Sequence, residues 1–391
     1  MPAKPTVQRP AMQLIHPAQP GIHDFASAEQ VAAVRRPLNQ AALLPASFYA
    51  DARSHAFDVE KLFMRHWLPV AHVAELAEPG SYLSREMFGE PILLTCDKDG
   101  TIHAFSNVCR HRNRVVVDGK GVCKGTLTCP YHGWSYGLDG SLKGAPFMHQ
   151  AENFDKLDYH LPRLGLDIWQ GFVFINFDVE APLLSPQLKS LDKVLDPLKM
   201  AEMACMDFDR YQAPWNWKAT LDNFTEAYHQ PTIHAGIDPL VPGRTAVYDD
   251  VDGPYNLFWI PAAPGASFQP VLPEMDNAIF DGLVVVNVFP LFHLLIDPSA
   301  IMWLDWDIRD VNDHDLIWRM LVPNASTQID DFDAKKQELY GYVKQVWDED
   351  VFACAGVAKG ASSRFTAQGR LCPQEKSLYQ LHNWLVDQYE R

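Results

Sequence analysis

No run of eighteen apolar residues occurs in the 391-residue sequence, so no stretch has the apolar length of a membrane-crossing helix. The segment from Met1 to about Gln40 is rich in Pro, Gln and Ala with scattered Arg and His, and it lacks the apolar centre of a signal peptide. Basic runs are missing too. Asp and Glu number 49 against 33 Lys and Arg, a net charge of −16, and a pI near 5.3 argues against a nucleic-acid partner. Internal repeats are absent. Cysteines number only seven, and five of them, Cys96, Cys123, Cys205, Cys354 and Cys372, have no evident pairing. That usage suits a reducing compartment rather than a secreted disulfide scaffold. The expectation is a cytoplasmic protein with neither membrane nor nucleic acid as partner. Its length allows two domains, each with its own core.

The two remaining cysteines are placed very differently. Cys109-Arg110-His111 is answered, after seventeen intervening residues, by Cys129-Pro130-Tyr131-His132-Gly133-Trp134. Each arm offers one thiolate and one imidazole. This is the ligand inventory of a [2Fe–2S] centre in which two histidines replace two cysteines on one iron. Tetrahedral zinc also accepts two Cys and two His, although zinc modules more often pair like with like. Gly119, Gly121 and Gly125 loosen the segment between the arms, and Pro130 and Gly133 shape the second turn. Cys123 lies between the arms, but the four ligands are complete without it.

CRHR followed by CPYHGWSYGLDGSL resembles the Rieske signature of the ring-hydroxylating oxygenase large subunits. Asn113 stands where that family usually has Gly, and Asn is the next most tolerant residue of a left-handed conformation.

Around the arms, the chain reads as hairpins. A helical pattern from Pro45 runs through Phe48, Phe57, Leu62, Phe63 and Trp67, with Asp58 a candidate N-cap. Alternating segments at 68–72, 81–88, 91–97 and 101–107 follow, separated by Pro79-Gly80, Gly89-Glu90 and Asp99-Gly100 turns. A further pair is expected at 161–169 and 172–178 around Gln170-Gly171. Residues 182–186, with a proline at each end, read as linker, and Leu188 to Met203 as a helix. Beyond these the pattern predicts a helix around 216–230, strands near 245–260, 282–297, 300–309 and 314–322, and helices near 328–358 and 373–390. The reading is α+β: an arm over 1–44, a small antiparallel β-domain over 45–180 and a second domain over 181–391.

The segment from Asn216 to His234 carries the other chemistry. Asp222, Glu226 and His229 fall at helical spacing, whereas His229 and His234 stand about 140° apart around an ideal helix. Pro231 is expected to end the helix after His229 and let His234 turn back. With one carboxylate, the two imidazoles would form the 2-His-1-carboxylate triad of a non-haem Fe(II) oxygenase. The late helix supplies the candidate. Leu339, Val343, Val346, Trp347, Val351, Cys354 and Ala358 make an apolar stripe, and Asp350 lies inside it. Asp348 points away and Glu349 falls at the margin. A carboxylate on a buried face is costly unless paired or metal-bound.

The run N-W-K-x-x-x-D-N-x-x-E-x-Y-H-x-x-x-x-H is similar to the iron-binding segment of the same family. Glu349-Asp350 resembles its late acidic motif, and Gly369-Arg370-Leu371 with Glu375 its C-terminal helix. The resemblance implies a Rieske domain, a helix-grip catalytic domain and a head-to-tail homotrimer in which an acid bridges one subunit's cluster to the next subunit's iron. By position that acid is Glu226, with Asp222 the competing bridge. Glu in place of the commoner Asp resembles the branch acting on quaternary ammonium compounds. Asn223 and Tyr228 either shape the iron site or only pack the helix. Trp259, Phe268, Trp303 and Trp306 are either an aromatic cage or core, and His293 is either a pocket or a wall residue.

The implied function is the terminal oxygenase of a multicomponent system. A separate reductase, with or without a ferredoxin, would pass NAD(P)H-derived electrons to a cluster on Cys109, His111, Cys129 and His132. From there they would reach Fe(II) on His229, His234 and Asp350. Hydroxylation beside nitrogen or oxygen would demethylate a small organic substrate, whereas hydroxylation of an arene would give a phenol or cis-diol. A Rieske electron carrier would need only the first domain.

Overall fold

The computed structural model describes residues 20–266, 272 and 281–391. Its first half is built from short antiparallel pairings. Three helices open it, α1 (Ala28–Val34), α2 (Ser47–Ala50) and α3 (Ser54–Asp58). Strands β1 (Leu68–His72), β2 (Ser81–Met87), β3 (Glu90–Cys96) and β4 (Ile102–Ser106) follow, then the short β5 (Lys120–Val122), β6 (Thr126–Thr128), β7 (Ser135–Gly137) and β8 (Leu142–Gly144). β9 (Gly165–Trp169) and β10 (Phe172–Asn176) close the series. The sheets run β4-β3-β2-β5, β6-β7-β8 and β1-β10-β9. Between β9 and β10 both Gln170 and Gly171 have positive φ, 52° and 85°, the conformation that matches the twist of a two-residue hairpin.

The second half grips helices with a sheet. Strands β11 (Met203–Ala213), β12 (Val247–Tyr248), β13 (Tyr255–Pro261), β14 (Gly282–Val288), β15 (Phe292–Ile296), β16 (Ile301–Asp310) and β17 (Asp313–Pro323) pair in the order β11-β17-β16-β15-β14-β13-β12. Helix α4 (Lys189–Leu195) precedes them; α5 (Trp217–Phe224) and α6 (Gln230–Ile233) sit between β11 and β12; α7 (Phe332–Ala361) and α8 (Lys376–Glu390) end the chain. One face of the sheet, with Met302, Leu304, Trp306, Trp318 and Met320, packs on α5, α7 and α8 through Trp217, Leu221, Phe224, Trp347 and Leu381. The other face, with Val284, Val286, Leu294 and Trp303, packs on β10 and α4. This is the expected α+β architecture.

Several expectations are corrected. The helix expected over Leu188–Met203 is only Lys189–Leu195 flanked by 3-10 turns, and at Met203 the chain enters β11. That strand was hidden because a bulge between Asp207 and Asp209 shifts its register, which breaks the alternation a strand would show. The single strand over 282–297 is the hairpin β14–β15. The helix over 216–230 stops at Phe224.

Asp58 stands at the N-cap position of the helical turn Val59–Phe63, as expected, but its side chain caps no N–H there. It lies fully buried at the end of α3, in a salt bridge to the equally buried Lys218. It also accepts from Trp217 Nε1 at 2.9 Å and Tyr389 Oη at 2.6 Å. An ion pair taken out of water offsets its desolvation only with such additional hydrogen bonds. Here they clamp α3, α5 and α8 together. The arm is anchored by Leu43 N to Gly369 O at 3.1 Å and by Arg35 to Asp387 and Glu390.

Candidate metal centres

Asn216 starts α5 by accepting from Lys218 N at 3.0 Å, an N-cap. After Phe224 the chain leaves the helix: Thr225 Oγ1 turns back to Leu221 O at 2.7 Å, and the Glu226 carboxylate captures the backbone N–H groups of Tyr228 and His229. Pro231 does not end a helix, as expected from the sequence, but opens α6 within its first turn, where its missing N–H has no helical partner to lose. His229 and His234 thus bracket α6.

These two imidazoles meet Asp350 of α7. His229 Nε2 is 3.2 Å from His234 Nε2 and 3.5 Å from Asp350 Oδ1, and His234 Nε2 is 3.0 Å from the same oxygen. Two donors bound about 2.1 Å from one ion at right angles stand about 3.0 Å apart, so the triangle fits one face of an octahedral ion. Among the described residues, this is the group of three whose ligand atoms converge within 4.8 Å. Asp350 and His234 side chains are only 3% and 5% exposed, so the donors are held in a dry setting. Burial alone would lower the pKa of His234, but the carboxylates of Asp350 and Glu349 outweigh it and raise it.

Each imidazole is backed at its other nitrogen. Glu226 Oε1 lies 2.6 Å from His229 Nδ1, and Glu349 Oε2 lies 2.8 Å from His234 Nδ1. Such carboxylates fix the tautomer that leaves Nε2 free for a metal. Glu349 was placed at the margin of the stripe by sequence; the helical phase that buries Asp350 also turns its neighbour toward His234. Asn223 Nδ2 donates to Asp350 Oδ1 at 2.8 Å, orienting that carboxylate. Asp222 faces elsewhere, accepting from Tyr49 Oη at 2.5 Å and pairing with His382 Nε2 at 3.1 Å. Burial, reinforced by the charge of Asp222, pushes Tyr49 well above an ordinary phenol and keeps its proton in place. Tyr228 is exposed and does not help shape the triad.

The Cys/His arms form two matched loops. Cys109 N donates to Arg114 O and Asn113 N to Cys109 O; Cys129 N donates to Trp134 O and Gly133 N to Cys129 O. The fifth residue of each loop is left-handed, with φ of 54° at Asn113 and 71° at Gly133. Asn113 therefore does in the first loop what glycine does in the second. Both cysteines are buried and free, and they belong to one buried cluster with Trp134 and Tyr136. Tyr136 Oη lies 3.3 Å from Cys109 Sγ. The two rings meet with centroids 4.5 Å apart, and Trp134 stacks on His111. His111 Nδ1 is buried with no partner among the described residues. A polar atom orphaned beside two free thiols and a second imidazole fits a group supplied from outside the chain, here a [2Fe–2S] cluster with one Cys/His arm on either side.

Residues 66–155 match the Rieske [2Fe-2S] domain, and residues 200–391 match the ring hydroxylating alpha subunit (catalytic domain). The sequence is 37% identical over 364 residues, covering 89% of this chain and 94% of the relative, to the carnitine monooxygenase oxygenase subunit of Escherichia coli (strain K12). The chain belongs to the Rieske ring-hydroxylating oxygenase large-subunit family. The glycine betaine monooxygenase oxygenase subunit of Chromohalobacter salexigens is 35% identical over 213 residues, 54% of this chain and 46% of that protein. The crystal structure of the quaternary ammonium Rieske monooxygenase CntA with L-carnitine superimposes with a TM-score of 0.78 at 25% identity, over 92% of this chain and 99% of that one. As a member of this family the protein is the terminal oxygenase of a Rieske non-haem iron system, with a Rieske cluster and a mononuclear iron as cofactors and a separate reductase as electron source. No helix among the described residues is long and apolar enough to cross a membrane.

The aromatic cage weighed from sequence does not assemble. Trp303 and Trp306 lie on opposite faces of the sheet, in different cores, Trp259 stands on β13, three strands away from Trp303 on β16, and Phe268 lies outside the described residues.

Proposed function

We propose that the protein hydroxylates a carbon beside the nitrogen of a small quaternary ammonium compound, drawing electrons through Cys109, His111, Cys129 and His132 and reacting O₂ at an iron held by His229, His234 and Asp350. The reaction consumes one substrate, one O₂, two electrons and two protons and yields a carbinol and one water. A carbinol carbon attached to a quaternary nitrogen then loses the amine and leaves an aldehyde. The observation that carries the oxygenase reading is the convergence of Nε2 of His229, Nε2 of His234 and Oδ1 of Asp350 within 3.0–3.5 Å. A bare electron carrier has no use for such a triad. Support for the quaternary ammonium class comes from the carnitine and glycine betaine relatives and from Glu at position 226.

In this mechanism the cluster supplies one-electron transfer and the iron supplies O₂ activation. The chain's residues do the positioning. Asn223 orients Asp350, Glu349 sets the tautomer of His234, and Glu226 sets that of His229. Glu226 also lines a groove with Asp222, Tyr228, Arg244 and Glu375. A homotrimer would bring a second copy's cluster loop into that groove, where exposed Tyr131 and His132 would meet Glu226 as the electron bridge. The domain division near residue 180, NAD(P)H as the ultimate donor and a cytoplasmic setting, consistent with seven unpaired cysteines, belong to the same reading.

The test is consumption of NADH and O₂ with a surrogate reductase, screened over quaternary ammonium compounds and aromatic acids, with aldehyde and amine quantified. Turnover with a quaternary amine and stoichiometric C–N cleavage is expected. Turnover confined to arenes would refute the substrate class.

A further inference from the structure

In the bend between α5 and α6, three successive backbone N–H groups are taken by side-chain oxygens instead of by a helix. Two of them, on Tyr228 and His229, go to the Glu226 carboxylate. The third, Ala227 N, donates to Tyr248 Oη at 3.3 Å. Tyr248 ends the edge strand β12, opposite Phe258 of β13, and its ring packs on Phe258 with centroids 5.3 Å apart. Its hydroxyl also donates to Gln374 O. A carbonyl only accepts, so the single phenolic proton belongs to Gln374 and a lone pair faces the Ala227 N–H. Burial, with the charges of Glu226 and Glu375 nearby, raises the pKa of this phenol and keeps the proton in place.

The same residue is held by close packing as well. A Cβ on Gly243 would stand 2.5 Å from Ala227 O, so the loop before β12 lies directly on the bend and leaves no room for a side chain there. Gln230, one residue beyond His229, donates its amide to Val241 O in that loop. Ala227 is only 1% exposed, and a buried N–H stripped of its acceptor is costly because no water replaces the lost partner. Without the Tyr248 hydroxyl, the peptide joining Glu226 to Ala227 must rotate to find another acceptor. That rotation moves Glu226, whose Oε1 lies 2.6 Å from His229 Nδ1. The other imidazole is backed from outside the bend, by Glu349 of α7.

We propose that Tyr248 is a positioning residue for the mononuclear metal site: by holding the peptide between Glu226 and Ala227, its hydroxyl fixes the carboxylate that orients His229. This rests on the reading of His229, His234 and Asp350 as metal ligands. The influence is one-sided, reaching the site through Glu226 and His229 and leaving Glu349 and His234 alone. A group that orients a ligand's supporting carboxylate changes metal affinity without touching the metal.

The experiment measures Co(II) affinity by anaerobic competition with a chelator, on full-length protein with intact cluster absorbance. It compares Tyr248→Phe, Glu226→Gln, Glu349→Gln and the two double variants that carry Tyr248→Phe. Tyr248→Phe alone should weaken binding roughly tenfold and shift the Co(II) visible bands, which report donor geometry. Added to Glu226→Gln it should cost at most about twofold, because the carboxylate it positions is already gone. Added to Glu349→Gln it should cost its full roughly tenfold, since independent changes add. A merely structural role would lower thermal stability with affinity and bands as in wild type, or weaken binding equally in both backgrounds. Either result would overturn the proposal. Equal Co(II) binding by wild type and Asp350→Ala would instead overturn the triad, and the role of Tyr248 with it.

Discussion

Glu226 and Glu349 both back an imidazole of the proposed iron triad, yet the structure predicts that the same substitution affects them very differently. Glu349 has one such contact, to His234 Nδ1 at 2.8 Å. In Glu349→Gln the amide oxygen can still accept from that ring. What is lost is the charge, and a charge-assisted hydrogen bond exceeds a neutral one by about 1 kcal/mol, or about fivefold in metal affinity. Glu226 receives three donors on two oxygens: His229 Nδ1 at 2.6 Å on one, His229 N at 3.0 Å and Tyr228 N on the other. Glutamine has one acceptor. Whichever way it turns, its NH₂ confronts either the imidazole N–H or two backbone N–H groups, which adds about 1–3 kcal/mol for donors left unpaired. The combined loss of about 2–4 kcal/mol corresponds to roughly 30- to 900-fold in affinity of the mononuclear site. The assay is anaerobic Co(II) or Fe(II) binding in competition with a chelator, on protein whose cluster absorbance is intact. Single-turnover oxidation of the reduced cluster by O₂ is measured in parallel with the site saturated. Glu226→Gln should slow that transfer steeply, and Asp222→Asn should not, because Asp222 is engaged by Tyr49 and His382. Equal losses in the two glutamine variants, or wild-type transfer in Glu226→Gln with Asp222→Asn slowed, would refute the reasoning.

Asp350→Ala should reduce iron from three to two per chain and abolish oxygenation while the cluster's visible spectrum persists; metal analysis with absorbance decides, and retained mononuclear iron would pass the ligand role to another acid. Lys218→Met leaves the buried Asp58 carboxylate without its cation, which should cost about 3–5 kcal/mol in urea unfolding. A variant as stable as wild type would show the pair contributes nothing. Burial lowers His72 and His314 to about 4. Because their folded pKa lies below the unfolded value, their contribution is complete above about pH 6.5 and is lost as pH falls toward 4, at about 1.4 kcal/mol per unit and group. His72→Gln should flatten the dependence of thermal stability over that window, and an unchanged slope would count against it.

Local chemistry made the proposed metal ligands legible. C-x-H and C-x-x-H are loops because their neighbours need left-handed residues, and the structure places Asn113 and Gly133 there. Asp350 was found because a carboxylate inside an apolar stripe is unusual. The early hairpins followed from Pro-Gly and Asp-Gly turns. Where the period was broken the reading failed: β11 lost its alternation to a bulge, and α5 was carried too far because nothing local reveals that Glu226 will capture the N–H groups of Tyr228 and His229. The sequence by itself determined which residues can bind metal, since ligand chemistry resides in side-chain type and short spacing. Only the tertiary structure decided who supports them. Asp58 finds Lys218 across 160 residues, and Glu349 finds His234 across 115. Such pairings depend on how distant elements pack, which short-range periodicity does not encode.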